Sequence, residues 1–202
     1  MFKSIFNKTI LESESGLFYL DKDGMLVDFK PSERNPIIET KKEEPFAFNG
    51  FVKERTIKHL IIPKGVKGFA DDVIRHIKVE ERFELPDGLL YIGNSIHDSS
   101  SHGCVFAQCL LPSVSIPESV KELGDFAFGH SRIDYLLIPS TIRSPYRRQF
   151  KDSYIDTLCL PKEWENYICL QNYRIENKLL RDNWEEYGYL TFDAGVGNIV
   201  FI

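Results

Sequence analysis

The sequence lacks the short signatures of the common active sites. It has no G-x-S-x-G, no H-E-x-x-H and no P-loop, so it offers no nucleophile elbow, zinc-protease helix or Walker-type phosphate loop. It also lacks a long apolar run: none approaches the roughly 20 residues of a membrane span. Residues 1–20, MFKSIFNKTILESESGLFYL, scatter their apolar residues among polar ones. A secretory signal needs about 7–15 continuous apolar residues, so a cytoplasmic location is expected, and a cell-surface one only if a signal has been removed. Excess positive charge is missing too. The net charge of −5 argues against general nucleic-acid binding, which needs a basic face. Cysteine is sparse. Of Cys104, Cys109, Cys159 and Cys169 only the first two are close, and their C-x4-C spacing is not a zinc knuckle. Four thiols fit a reduced cytosolic protein as well as one disulfide pair.

What is present is a repeat. HLIIPKGV (59–66), RFELPDGL (82–89), SVSIPESV (113–120), YLLIPSTI (135–142) and TLCLPKEW (157–164) share one shape. Their prolines, at 63, 86, 117, 139 and 161, are separated by 23, 31, 22 and 22 residues. One residue before each proline stand Ile62, Leu85, Ile116, Ile138 and Leu160; three before stand Leu60, Phe83, Val114, Leu136 and Leu158. Three after stand Val66, Leu89, Val120, Ile142 and Trp164. Six after stand Phe69, Ile92, Leu123 and then Pro145, which breaks the series. Eleven before the last three prolines stand Phe106, Phe128 and Phe150.

Apolar residues at proline −3 and −1 alternate with others, the period of a half-buried strand. Proline, with no N–H, suits a strand end. Gly93 and Gly124 permit a tight bend, and the phenylalanine plugs the far side of the unit. One such unit cannot bury its own apolar face, but stacked units share a core, with the strands forming a parallel sheet along one side. Phe106, Phe128 and Phe150 are then expected to stack in one column.

The pattern resembles the BspA-like leucine-rich repeats over roughly residues 57–164. The resemblance is carried best by ELGDFAFGHSRIDYLLIPSTI (122–142), with Leu123-Gly124-Asp125 before Ala127-Phe128 and then Leu136, Ile138 and Pro139, and by SIPESVKELGDFAF (115–128). It implies a β-rich α/β repeat solenoid of 22–23-residue units, used for protein or surface binding and without catalytic groups. Many members are exported surface proteins, so a cell-surface or glycan-binding module is the alternative role.

Solenoids need caps. Apolar runs flank Asp23-Gly24 in GLFYLDKDGMLVDFKP (16–31), a hairpin signal. KPSERNPIIETKKEEP (30–45), polar and carrying three of the ten prolines, reads as a loop, and AFNGF (47–51) as a degenerate repeat corner. After Trp164 the proline phase stops. ENKLLRDNWEEY (176–187) favours a helix with Leu179, Leu180 and Trp184 on one face, and the GVGN of 195–198 favours a turn between two strands. The expected organisation is an N-terminal cap over 1–56, the repeats over 57–164, and a C-terminal cap over 165–202.

If proline −1 and −3 face the core, −2 and −4 face outward. This gives two columns: His59 and Ile61, Arg82 and Glu84, Ser113 and Ser115, Tyr135 and Leu137, Thr157 and Cys159. Exposed Tyr, Leu and Ile on a rigid sheet suit protein recognition, so His59, Ile61, Arg82, Glu84, Tyr135 and Leu137 are the candidate partner-binding residues. Cover by capping segments, or self-association, accounts for them equally well. TIRSPYRRQFKD (141–152) is a basic run that reads as a solvated loop, and His76 and His130 are expected at corners between units.

SIHDSSSHGCVFAQC (95–109) holds the chemically richest residues. Gly124 precedes Phe128 by four residues, whereas Gly93 precedes Phe106 by thirteen. The excess of nine equals the excess in the proline gap, which locates an insertion within about 94–105. His97 and His102 sit on it as a candidate contact loop. With Cys104, and Asp98 nearby, they could hold a metal, but H-x4-H-x-C matches no structural spacing. The chain is therefore read as a non-enzymatic protein-binding scaffold with no cofactor, no metal and an unidentified protein partner; a metal-binding role for 97–109 is the lesser alternative.

Overall fold

The computed structural model describes residues 9–43, 51–70, 73–93, 105–124, 126–142, 149–150, 153–165 and 194–202. Three strands open the fold as an antiparallel meander: β1 (Thr9–Ser13), β2 (Gly16–Leu20) and β3 (Met25–Pro31). The expected hairpin is present between β2 and β3. The Asp21 carboxylate accepts from the N–H groups of Asp23 and Met25 at 2.9 Å, and Gly24 turns the chain at φ 85°, where a Cβ is disfavoured.

The segment expected to be a loop over 30–45 instead contains β4 (Ile38–Glu43), antiparallel to β5 (Phe51–Ile61). Its polar sequence, IETKKE, hid it. An edge strand tolerates such residues because one side of it faces water. The degenerate corner expected at 47–51 falls largely outside the described residues.

From β5 onward the repeat governs the topology. β6 (Gly68–Phe69), β7 (Ile77–Glu84), β8 (Tyr91–Ile92), β9 (Leu110–Leu111), β10 (Val114–Ser115), β11 (Glu122–Leu123), β12 (Arg132–Leu137), β13 (Ser153–Leu160) and β14 (Ala194–Phe201) follow. The main sheet runs β14-β13-β12-β9-β7-β5-β4, with β10 also on β12. Every pairing in it except β4–β5 is parallel. Between β12 and β13 the partners are 22 residues apart throughout, as in Leu136 with Leu158. Two shorter parallel pairings, β3 with β6 and β8 with β11, lie in separate sheets.

The proline spacing has direct structural counterparts. Ile62, Ile116 and Ile138 each donate their N–H to the next unit (to Glu84, Leu137 and Cys159). The proline that follows has no N–H to continue the ladder. Its carbonyl then accepts from the residue three on: Val66, Leu89, Val120 and Ile142 bond to Pro63, Pro86, Pro117 and Pro139. The 23-residue gap is one residue too long for this scheme, and a β-bulge absorbs it. Ile57 faces Val79, but His59 faces Arg82, so β7 carries one extra residue at Glu80–Glu81.

The 31-residue gap shows in the pairing on either side of it. Tyr91 pairs with Glu122, 31 positions on, whereas Phe106 stacks on Phe128, 22 positions on. The extra nine residues therefore enter between Ile92 and Phe106.

The core is a set of columns. Phe106, Phe128 and Phe150 are fully buried and stack with centroids 5.3 and 5.4 Å apart. Phe69 and Phe83 meet Phe106 edge-on at 5.1 and 5.2 Å, geometries that favour the ring quadrupoles. Val66, Leu89, Val120 and Ile142 form a second buried column, and Phe69, Ile92 and Leu123 a third.

A polar column runs beside the phenylalanines. Cys109, Ser131 and Ser153 occupy equivalent positions 22 residues apart. The Ser131 hydroxyl donates to the Phe106 carbonyl and accepts from the Cys109 N–H. The Ser153 hydroxyl donates to the Phe128 carbonyl and accepts from the Ser131 N–H. Cys109 plays the same part more weakly, its Sγ 3.1 Å from the Ile74 carbonyl. Buried backbone groups at this corner are thereby satisfied, which a packed interior requires.

GVGN forms part of β14 rather than the expected turn. Gly195 to Asn198 lie parallel to Tyr154 through Thr157 in β13. Gly197 is needed for approach: a Cβ there would stand 2.7 Å from the Asp156 carbonyl oxygen. Among the described residues the helical content is one 3-10 turn, Lys162–Trp164; the helix expected over 176–187 lies outside them.

Candidate functional site

The register places the two outward columns as pairs along the ladder. His59 lies beside Arg82 and Ile61 beside Glu84 on β5 and β7. Tyr135 lies beside Thr157 and Leu137 beside Cys159 on β12 and β13, with Ser115 against Leu137. Arg82, Glu84, Ser113 and Ser115 are exposed, Tyr135 is 37% exposed, and His59, Ile61 and Leu137 are half-buried. The columns do not run unbroken. Lys78 with Leu110 is the ladder pair that joins β7 to the next unit, and beyond it Pro112 interrupts the strand between β9 and β10. His59, Ile61, Arg82 and Glu84 therefore form one group and Tyr135 and Leu137 another.

The first group is covered from the N-terminal side. The Asn35 side chain clasps the His59 backbone, donating to its carbonyl at 2.6 Å and accepting from its N–H at 3.1 Å. The Ser15 hydroxyl accepts from the Ile61 N–H, and the Ser13 hydroxyl donates to the Ile61 carbonyl, both at 2.7 Å. The backbone edge of β5 beyond β4 is thus closed by three side chains. Arg82 pairs with Glu84 at 2.6 Å and Glu14 at 3.0 Å. The hydrogen bond to Glu84 holds the guanidinium pKa above its ordinary value. Glu81, on the bulge, meets Lys58 at 3.0 Å and His59 Nε2 at 3.5 Å. Exposed pairs of this kind are worth about 0–1 kcal/mol each; they set the local charge pattern more than the stability.

The second group is more apolar. Cys159, expected to face outward, is buried. Its side chain is short, and Leu137, Val200 and Tyr135 stand around it. The Tyr135 hydroxyl shares a hydrogen bond with the Cys159 thiol, which with partial burial raises the phenol pKa. Alongside lie Tyr154 at 44% and Val200 at 37% exposure, with the Arg132 guanidinium 5.3 Å from the Tyr154 ring centre.

Where the ladder breaks, a groove of about 390 Å³ opens on the face. Leu110, 41% exposed, and Pro112 form its floor; Lys78 and Glu80 stand on one side, Arg132 and Asp134 on the other. Sequence reasoning stopped the outward columns at proline −4 and so missed this row. Leu110, Arg132 and Tyr154 all stand at proline −7, a signal available from the same spacing.

His97 and His102 lie outside the described residues, as do Asp98, Cys104 and most of the basic run at 141–152. Cys109, at the end of the same stretch, is a core residue. Desolvation pushes its thiol up to about 12, so it is neither thiolate nucleophile nor ready metal ligand. No group of three His, Cys, Asp or Glu among the described residues could hold a metal ion, and no helix among them is long and apolar enough to cross a membrane. His76 and His130 stand at corners, as expected. Together with Gln108 they adopt φ of 57–58°, a left-handed position repeated at the entry to three successive strands.

A parallel ladder with a 22-residue step, a proline at each strand end and a phenylalanine column defines a leucine-rich repeat architecture. Residues 100–194 match the family model of the BspA type leucine rich repeat region, in six copies. Residues 100–194 are thus a BspA type leucine rich repeat region. The match extends past Trp164 as far as the first residue of β14, and the parallel pairing continues back to β5. No curated protein and no solved structure matches the chain.

Proposed function

We propose that the chain is a non-enzymatic leucine-rich repeat solenoid, capped by 1–56 and 165–202, that binds a protein partner on the outer face of its main sheet. The observation that carries this reading is the run of large exposed side chains over β9 to β14: Leu110, Arg132, Tyr135, Tyr154 and Val200. Aromatic and arginine side chains on a rigid backbone bury area at little entropic cost, which is how interface anchors work. Tyr135 and Leu137 lie at the centre of that half of the face. His59, Ile61, Arg82 and Glu84 form its charged extension beyond the groove. The insertion that carries His97 and His102 supplies a second contact element.

The test is the double variant Tyr135→Glu/Leu137→Glu, used as bait beside the parent in affinity purification from source cells. A stoichiometric partner should be lost while the melting temperature stays within a few degrees. Retention of the same partners would remove this face from the proposal.

A further inference from the structure

The two ends of the main sheet are built differently. At one end β4, with the sequence IETKKE, carries four charged residues in six. Charged side chains, lysine above all, block a strand edge from pairing with another chain. At the other end β14, AGVGNIVF, carries none in eight. Ile202 beyond it is 63% exposed and Val200 37%.

The backbone of β14 is half used. Ile202 exchanges both its hydrogen bonds with β13, donating to Leu160 and accepting from Lys162. By the alternation of a strand, Ile199 and Phe201 turn their N–H and C=O groups the other way. Among the described residues no strand pairs with that side. Among the described residues the core is also less covered there. In β13 the inward Ile155, Leu158 and Leu160 are fully buried, whereas their β14 counterparts Val196, Ile199 and Phe201 are only partly so.

We propose that β14 is a self-association edge, pairing antiparallel with β14 of a second copy across a twofold axis. The absence of charge selects this occupant. A twofold sets each residue against one of the same strand, and a strand with no charged side chain meets no like-charge repulsion in any register. The same contact brings the two partly buried core ends together and pairs the backbone groups of Ile199 and Phe201 that no described strand meets.

Light scattering on the eluting 202-residue chain tests this across a concentration series. The parent should run at twice 23.4 kDa and dissociate on dilution. Val200→Lys/Ile202→Lys changes exposed side chains only; it should run at 23.4 kDa with an unchanged circular dichroism spectrum, while Val200→Thr stays dimeric. Hydrogen exchange at Ile199 and Phe201 should be slow in the parent and fast in the double-lysine variant. A monomeric parent, with those amides either fast or protected by the chain itself, overturns the proposal. So does a dimer that survives both lysines.

Discussion

The Ser131 hydroxyl donates to the Phe106 carbonyl of the preceding unit. It thereby fastens the phenylalanine column to the corner where each strand begins, and it also accepts from the Cys109 N–H. Ser131→Ala strands two buried backbone groups, each costing about 1–3 kcal/mol when unsatisfied. Urea denaturation should show a loss within or just above that range. Ser131→Cys should cost less, because Cys109 already fills the same role one unit earlier. Equal losses for the two variants would mean that volume, not hydrogen bonding, matters there.

Phe128 is stacked on both sides, by Phe106 and Phe150. Phe128→Ala should cost about 3–5 kcal/mol and Phe128→Leu much less. Chemical denaturation of the two variants gives the order.

Cys109 links stability to alkaline pH. Its thiol stays protonated in the folded chain to about 12, against an ordinary value of 9.0. The unfolded chain therefore releases a proton first as the pH passes 9. The stability is whole below that point and falls by up to about 1.4 kcal/mol per pH unit between 9 and 12. Cys109→Ser lacks this titration. The stability difference between parent and variant should shrink from pH 9 upward, and a constant difference would refute the assignment.

Gly197→Ala forces a Cβ to within 2.7 Å of the Asp156 carbonyl oxygen. Backbone cannot retreat as a flexible side chain can, so strain of about 1–3 kcal/mol is expected. Thermal melting should fall by roughly 2–4 °C per kcal/mol for a chain of this size. An unchanged melting temperature would show that β14 can shift away from β13.

Much of this architecture could be read from five prolines and the residues in phase with them, because each phased position has one physical duty. Proline ends a ladder, and its neighbours at −3 and −1 fill the core. The insertion followed from comparing Gly93 and Phe106 with Gly124 and Phe128. Features without such a duty in their residue type stayed hidden. β14 has Ile202 where a proline would mark the phase, and its glycines imitate a turn. β4 is too charged to look like a strand. Cys109, Ser131 and Ser153 look like loop residues until the ladder shows what their side chains bond. Cys159 was assigned to the outer face by alternation, which is correct for its direction. Its burial came from taller neighbours, which alternation does not describe.

The bulge at Glu80–Glu81 and the insertion before Phe106 are two ways of lengthening a unit, in neighbouring units. In both, the flanking strands return to phase within a few residues. A gain or loss of sequence in such a chain is thus a local event: a neighbouring rung feels only the register it is handed, not the length of chain that delivered it. That makes the repeat a scaffold on which new surface can be tried at one corner with the other rungs left as they were.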